Sequence, residues 1–331
     1  MNKRSLGIIF PTLILLLIIA AFISLGVGAI KLTPGEVVNS LFRESERAVN
    51  ETIIWDFRLS RILLVCVCGA ALASAGAAFQ GLFRNPLADP FIVGASGGAA
   101  LGATLSVFLS SSGIKIPIGV SGFIGAILAV LIVYSIAEFS NYGSVTALIL
   151  AGSAMSTVLS AIVSLLLILS DEVMHQIFAW LMGGFAGRSW SHLQDAILIA
   201  PIGIAIVWLM ARPLDALTAG EESAQSLGLN LRQTRLIIVI GASLATAAAV
   251  AASGIIGFVG LIAPHLARNL VGAKHDVLIP TSMLIGALLL LFSDGLARTL
   301  MAPIELPVGV FTALLGGPFF LYLLRKGQNI S

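Results

Sequence analysis

The sequence is short of charge. Only 10% of its 331 residues are Asp, Glu, Lys or Arg, where a soluble domain carries about 25% to cover its surface. With 58% apolar residues and a mean hydropathy of +1.05, the missing polar surface excludes an ordinary water-soluble domain and points to lipid as the solvent. Cysteine is equally scarce. Cys66 and Cys68 stand alone and two apart, a spacing that directs them to different helix faces, so they form neither a redox motif nor a metal pair. His175, His192, His265 and His275 are scattered and make no metal cluster. No G-x-x-x-x-G-K-[ST] phosphate loop precedes any lysine, so ATP, if it drives this protein, is bound by another chain. No serine elbow with a positioned base stands out, which argues against an enzyme. Membrane-embedded charges are also few, and no buried acid relay of the kind that ion-coupled carriers hide in their spans stands out.

What remains is a series of long apolar runs, each near the roughly 20 residues that cross a bilayer as a helix. The first, 7–29, is too long and too often repeated downstream to read as a signal peptide, and is expected to be a transmembrane helix. Further spans are expected near 62–82, 91–110, 116–137, 145–169, 195–211, 236–253, 255–271, 277–297 and 307–324. That makes ten. The weakly polar run 236–264 is split at Ser253-Gly254, where a helix breaks cheaply; a single tilted helix followed by a re-entrant piece would give nine. With ten spans and both ends inside, the inner segments hold Lys3, Arg4, Arg84, Arg212, Arg232, Arg235, Arg268, Lys274, Arg325 and Lys326, and the acids lean outward. This is a shallow positive-inside bias.

Three connections are long enough to fold. Residues 31–57 are of mixed charge. Residues 170–194 contain HQIFAWLMGGFAG, whose Trp180, together with Trp190, suits an interfacial helix. The inner loop 212–235 contains a short amphipathic helix over 216–227, broken by Gly220 and closed by Gly228. Its Glu221 and Glu222 lie in the polar part, and Ala216, Leu217, Ala224 and Leu227 are expected to face a partner or the membrane surface. The segment QGLFRNPLADP at 80–90 is a tight turn shaped by Pro86 and Pro90 with Asn85 and Asp89. Asp294 and Arg298 stand i,i+4, the spacing of a local salt bridge. Gly94, Gly98 and Gly102 form a small-residue stripe that lets helices approach closely.

An internal repeat is legible. RLSRILLV at 58–65 and RQTRLIIV at 232–239 are each followed by a similar small-residue run, GAALASAGAA at 69–78 and GASLATAAAV at 241–250. The two R-x-x-R leads fall on opposite sides in the ten-span topology, so the halves, 57–170 and 231–325 of one transmembrane domain over 1–331, are expected to be inverted, as in many transporters. The fold class expected is an all-α polytopic membrane protein.

The pieces FRLSRILLVCVCGAALASAGAAFQGLFRNPLADPFIVGASGG, HQIFAWLMGGFAG, LTAGEESAQSLGLNLRQTR, SGIIGFVGLIAPHLARNLVG and ELPVGVFTALLGGPFFLYLLR together resemble the permease subunit of the iron-siderophore, haem and cobalamin family of ABC importers, over nearly the whole chain. The resemblance implies ten spans, a pair of permeases (two copies or a close paralogue), two cytoplasmic subunits that bind ATP and Mg, and an external substrate-binding protein. It also implies alternating access, a bacterial cytoplasmic (inner) membrane location with both termini inside, no cofactor on this chain and no nucleic-acid partner. By motif, it assigns Arg58, Arg61 and Arg298 to docking of the binding protein. It assigns Glu221, Glu222, Leu227 and Gly228 to coupling with the ATPase, and Asn85, Leu87, Ser144 and Thr146 to the gate. The cargo it implies first is a ferric siderophore, with haem and cobalamin as alternatives. Relatives often read R-L-P-R where this chain has Arg58-Leu59-Ser60-Arg61, and have alanine-rich sequence where it has Phe292-Ser293 before Asp294; neither departure removes a charge.

Overall fold

The structure, a computed structural model, describes residues 3–44, 47–111, 113–139, 145–169 and 171–327, and among them all regular structure is helical. In chain order the α-helices are α1 (Lys3–Gly26), α2 (Pro34–Leu41), α3 (Ala48–Thr52), α4 (Ser60–Phe83), α5 (Ala95–Ser111), α6 (Ile118–Phe139), α7 (Val145–Ile168) and α8 (Asp171–Leu181). They continue with α9 (Trp190–Leu209), α10 (Ala211–Ala219), α11 (Glu221–Ser226), α12 (Leu231–Ser253), α13 (Val259–Val271), α14 (His275–Thr299) and α15 (Val308–Gly327). A π-helical turn, Ile53–Leu59, leads straight into α4, and a 3-10 turn, Pro90–Val93, precedes α5. Among the described residues, seven helices are long and apolar enough to cross a membrane: α1, the continuous α3–α4 helix, α6, α7, α9, α12 and α14. Helices also occupy the other three expected spans, but α5 and α15 have shorter apolar stretches and α13 has only 13 residues. At 1.5 Å per residue, α13 falls short of a hydrocarbon core about 30 Å thick.

Small residues decide the packing. α4 is the central helix, with every residue from Ala71 to Phe83 buried. It runs antiparallel to α14, and a Cβ on Gly69 would lie 2.5 Å from the carbonyl oxygen of Gly286. Glycine at that crossing allows a backbone-to-backbone approach that no side chain permits. In the α5–α6 pair, Gly98 meets the Gly125 carbonyl and Gly102 that of Ser121, so part of the Gly94-Gly98-Gly102 stripe is packing surface. Gly94 instead closes the 3-10 turn at φ 87°.

The break expected at Ser253-Gly254 is present. α12 ends at Ser253, Gly254 takes φ 72°, and α13 starts only at Val259. Each of the three long connections folds. The first contains α2, opened by a Thr33–Glu36 capping box, and α3. The second contains α8, but Trp180 does not sit at a half-wet surface as expected. It is only 6% exposed, because its ring fills the space left by Gly122 on α6.

In the third connection the break expected at Gly220 separates α10, which starts earlier than expected at Ala211, from α11, but the expected outward apolar side is corrected. Leu214, Leu217 and Ala224 are buried in the chain's own core, and of the apolar residues expected to face outward only Leu227 is exposed, at 72%.

Candidate functional site

The charges that the apolar bundle does contain gather at its two ends. At one end, where α4 begins and α14 finishes, Arg61 is held by two carboxylates. Its Nε and Nη2 donate to Asp294 Oδ1 at 3.1 and 2.8 Å, and its Nη1 donates to Glu305 at 2.8 Å. The Arg298 guanidinium lies 3.0 Å from the other Asp294 oxygen, so the i,i+4 salt bridge read from sequence exists and is part of a larger network. Asp294 is fully buried, whereas the Glu305 side chain is 36% exposed.

The same end closes α1. An α-helix leaves its last four carbonyls without partners, and here two cationic side chains reach the last turn of α1 and the backbone just beyond it. Arg58 donates to the carbonyls of Leu25 and Ile30. Arg298 donates to Ser24 Oγ and to the Val27 carbonyl, the latter at 3.1 Å. A positive group at a helix C-terminus is also favoured by the macrodipole. Arg58, Arg61 and Arg298 therefore converge on one end as expected, but all three are buried, at 7%, 8% and 5% exposure, and engaged within the chain.

The opposite end is built on Glu221, the first residue of α11. Its carboxylate lies 2.7 Å from Arg235 at the start of α12 and 3.9 Å from Arg84 at the end of α4. Arg84 sits in the left-handed region at φ 50°, capping α4, and its Nε donates to the Leu217 carbonyl at 2.7 Å. Asp215 on α10 accepts the backbone N–H of His275 at 3.0 Å and pairs with its ring at 2.6 Å, tying α10 to the N-terminus of α14. Two ion-pair anchors, each with one shielded partner (Arg235 and His275), thus hold the α10–α11 loop down. Glu222, Leu227 and Gly228 are left exposed at its tip, Gly228 with φ 81°. Arg232 pairs with Glu138 at 2.6 Å, so the second R-x-x-R lead belongs to this end and the first to the other.

The N-P-L turn lies beside Arg84. Asn85 Oδ1 accepts the Leu87 N–H at 2.9 Å, and Asp89 Oδ1 accepts the Phe91 N–H at 2.9 Å. Burial pushes the Asp89 carboxyl up to about 6, against the opposing pull of the Phe91 and Phe258 N–H groups. Asn85 is exposed and Leu87 half-buried. Thr146 is exposed in the first turn of α7, and Ser144 lies outside the described residues.

Sequence reasoning missed the partners: Asp294 and Glu305 for Arg61, the α1 carbonyls for Arg58 and Arg298, and Arg84 and Arg235 for Glu221. Only the i,i+4 spacing of Asp294 and Arg298 carried a signal.

Residues 16–326 match the FecCD transport family. The chain is 43% identical over 278 residues to a cobalamin import system permease of Halobacterium salinarum, covering 84% of this chain and 74% of that one. It is 41% identical over 325 residues to a hemin transport system permease of Yersinia pestis (96% and 95%), and 38% identical over 334 residues to a Bacillus subtilis permease assigned to siderophore transport (99% and 97%). An inward-facing structure of an ABC transporter assigned to the metal-chelate type superposes with a TM-score of 0.85 at 37% identity, covering 97% of this chain and 99% of that one. An apolar helical bundle with charges confined to its ends, matched over nearly its whole length, belongs to the FecCD transport family as a permease subunit of an ABC importer.

Proposed function

We propose that this permease imports an iron chelate, a ferric siderophore before haem or cobalamin, by alternating access. It spans a bacterial cytoplasmic membrane ten times as an inverted repeat with both termini inside. It works as a pair, with two cytoplasmic subunits that bind ATP and Mg on one side and a substrate-binding protein on the other. The observation that carries this reading is the separation of the two charged clusters. Arg61, Asp294 and Glu305 stand at one end of an apolar bundle, and Glu221, Arg84 and Arg235 at the other. Similar sequence leads at opposite ends are what an inverted repeat produces.

In this reading the binding protein docks at the arginine end. Arg61 engages its carboxylates through the edge it shares with half-exposed Glu305, while Arg58 and Arg298 hold the rim in register. Glu221, Glu222, Leu227 and Gly228 couple to the ATPase, since Leu227 is an exposed apolar knob on a loop anchored from beneath. The turn at Asn85 and Leu87, with Ser144 and Thr146, forms the gate. Its short Asx hydrogen bonds fix its shape, and Arg84 connects it directly to Glu221. The small and apolar helix faces offer a bulky chelate little to stick to, and the external binding protein supplies most of the selectivity. The relatives that carry siderophore, hemin and cobalamin names are similar at comparable identity.

Reconstitution tests the reading. Uptake of a labelled ferric siderophore into liposomes is expected only with the ATPase subunits, internal ATP and the binding protein together. Uptake by the permease alone, indifferent to ATP, would sink it in favour of a stand-alone secondary transporter.

A further inference from the structure

Arg188 belongs to neither cluster. It lies in the 182–189 connection ahead of α9. Its Nε is buried without a hydrogen-bond partner, and no carboxylate pairs with it among the described residues. Burial pushes its pKa down. A half-buried cation with a shielded, unpaired donor is costly, and an ionisable group at the edge of a membrane bundle is a site in search of a ligand.

The surroundings define that ligand. Arg188, His192 and Asp195 line one end of a cavity of about 480 Å³ between the start of α6, the first turns of α9 and the end of α12. The rest of that cavity is apolar, walled by Phe123, Ile199 and Ala251 among others. Phe123 also lines a second, almost wholly apolar cavity of about 310 Å³, which continues between α6 and α12 through Ile127 and Leu131 to Tyr134. The two form one groove. Its rim residues Val120, Leu198, Leu131 and Ile240 are exposed, so it opens sideways, towards the membrane.

Along α6 the groove runs from Gly119 to Tyr134, roughly 22 Å at 1.5 Å per residue. One acyl chain occupies about half of a 30 Å hydrocarbon core, roughly 15 Å. A chain hanging from the Arg188 level therefore passes Phe123 and ends inside the second cavity. The head end carries both signs. Asp195, one helical turn beyond His192, is exposed and has no ion pair among the described residues. An anionic headgroup would satisfy Arg188 but face Asp195. A headgroup with a phosphate and an ammonium satisfies both.

We propose that this groove holds an aminophospholipid of the phosphatidylethanolamine class, with its phosphate on Arg188, its ammonium on Asp195 and one acyl chain between α6 and α12. The lipid supplies the counter-charge that the chain itself does not.

Native mass spectrometry of the permease, purified in mild detergent and offered phosphatidylethanolamine and phosphatidylglycerol of equal chain length, tests this. A single phosphatidylethanolamine per protomer is expected to survive washing. R188Q is expected to lower its occupancy roughly tenfold or more, the loss of one charge-assisted hydrogen bond. A251L, which narrows the first cavity and alters no charge, is expected to do the same. D195N is expected to abolish the preference for the amino headgroup while leaving a phospholipid bound. Occupancy unchanged in both R188Q and A251L overturns the proposal. So does equal retention of phosphatidylglycerol by the unaltered chain, or displacement of the lipid by inorganic phosphate, which would make this an anion site only. If R188Q does not fold, the preference measured in D195N decides alone, since Asp195 is exposed.

Discussion

Arg61 and Asp294, 233 residues apart in sequence, meet at 2.8 Å at the end of the bundle where α4 starts and α14 stops. Asp294 is inaccessible to solvent and also faces Arg298 at 3.0 Å, so one buried carboxylate balances two guanidiniums. The pair ties the first quarter of the chain to the last at the end assigned to the binding protein.

Removing that carboxylate leaves buried Arg298 without an acidic partner and buried Arg61 with only the part-exposed Glu305. D294A is therefore expected to cost about 3–5 kcal/mol, the range for breaking a buried pair from one side. E305Q, at a carboxylate 36% exposed, is expected to cost about 0–1 kcal/mol as at other solvent-screened pairs. Denaturation in detergent, followed by tryptophan fluorescence, separates the two. Equal effects would mean that Asp294 is not the keystone.

Glu305 competes with any external carboxylate for Arg61. E305Q is accordingly expected to tighten docking of the binding protein several-fold, mainly through a faster on-rate, whereas R61E weakens it. Surface plasmon resonance against immobilised permease reads both. Docking in E305Q that is unchanged or weaker would remove Arg61 from the interface.

Leu227 is exposed while Leu217 and Ala224 on the same loop are buried. L227D should leave the melting temperature unchanged, as a surface substitution away from packed features normally does within about 0.5 kcal/mol, yet reduce co-purification with the ATPase subunits at least severalfold. Full co-purification at matched expression would place the contact elsewhere.

The Asp89 carboxyl has its pKa raised from an ordinary 3.8 to about 6. A carboxyl raised on folding favours the folded state most while protonated. Its contribution is full below about pH 4 and is lost as pH rises through about 6. The permease is expected to lose this increment of melting temperature between those limits. D89N, which keeps an oxygen for the Phe91 N–H, is expected to flatten the change. A profile identical in D89N would refute the assignment.

The helices were legible because apolar runs near 20 residues have few alternatives to spanning lipid, and the break at Ser253-Gly254 was legible because glycine takes the positive φ found there. The Asn85 turn was readable for a similar local reason. The arginine end was only half legible. Convergence of Arg58, Arg61 and Arg298 followed from motifs, but their burial did not, because two of them bind backbone carbonyls at and just beyond the end of α1, more than 20 residues from Arg58 and far from Arg298, and carbonyls leave no mark on sequence. The inward turn of Leu217 and Ala224 was missed because a short amphipathic helix packs equally well on a partner or on its own chain. Trp180 was misjudged for a comparable reason: the pocket that buries it is made by Gly122, a residue on another helix.

Site-directed cross-linking of the assembled transporter tests the division of labour between the two ends most directly. A photo-reactive probe on L227C is predicted to capture only the ATPase subunit, and the same probe on E305C only the binding protein, with the buried native Cys68 and half-buried Cys66 unlabelled. Capture of both partners from the same end, or of the binding protein from Leu227, would contradict the account.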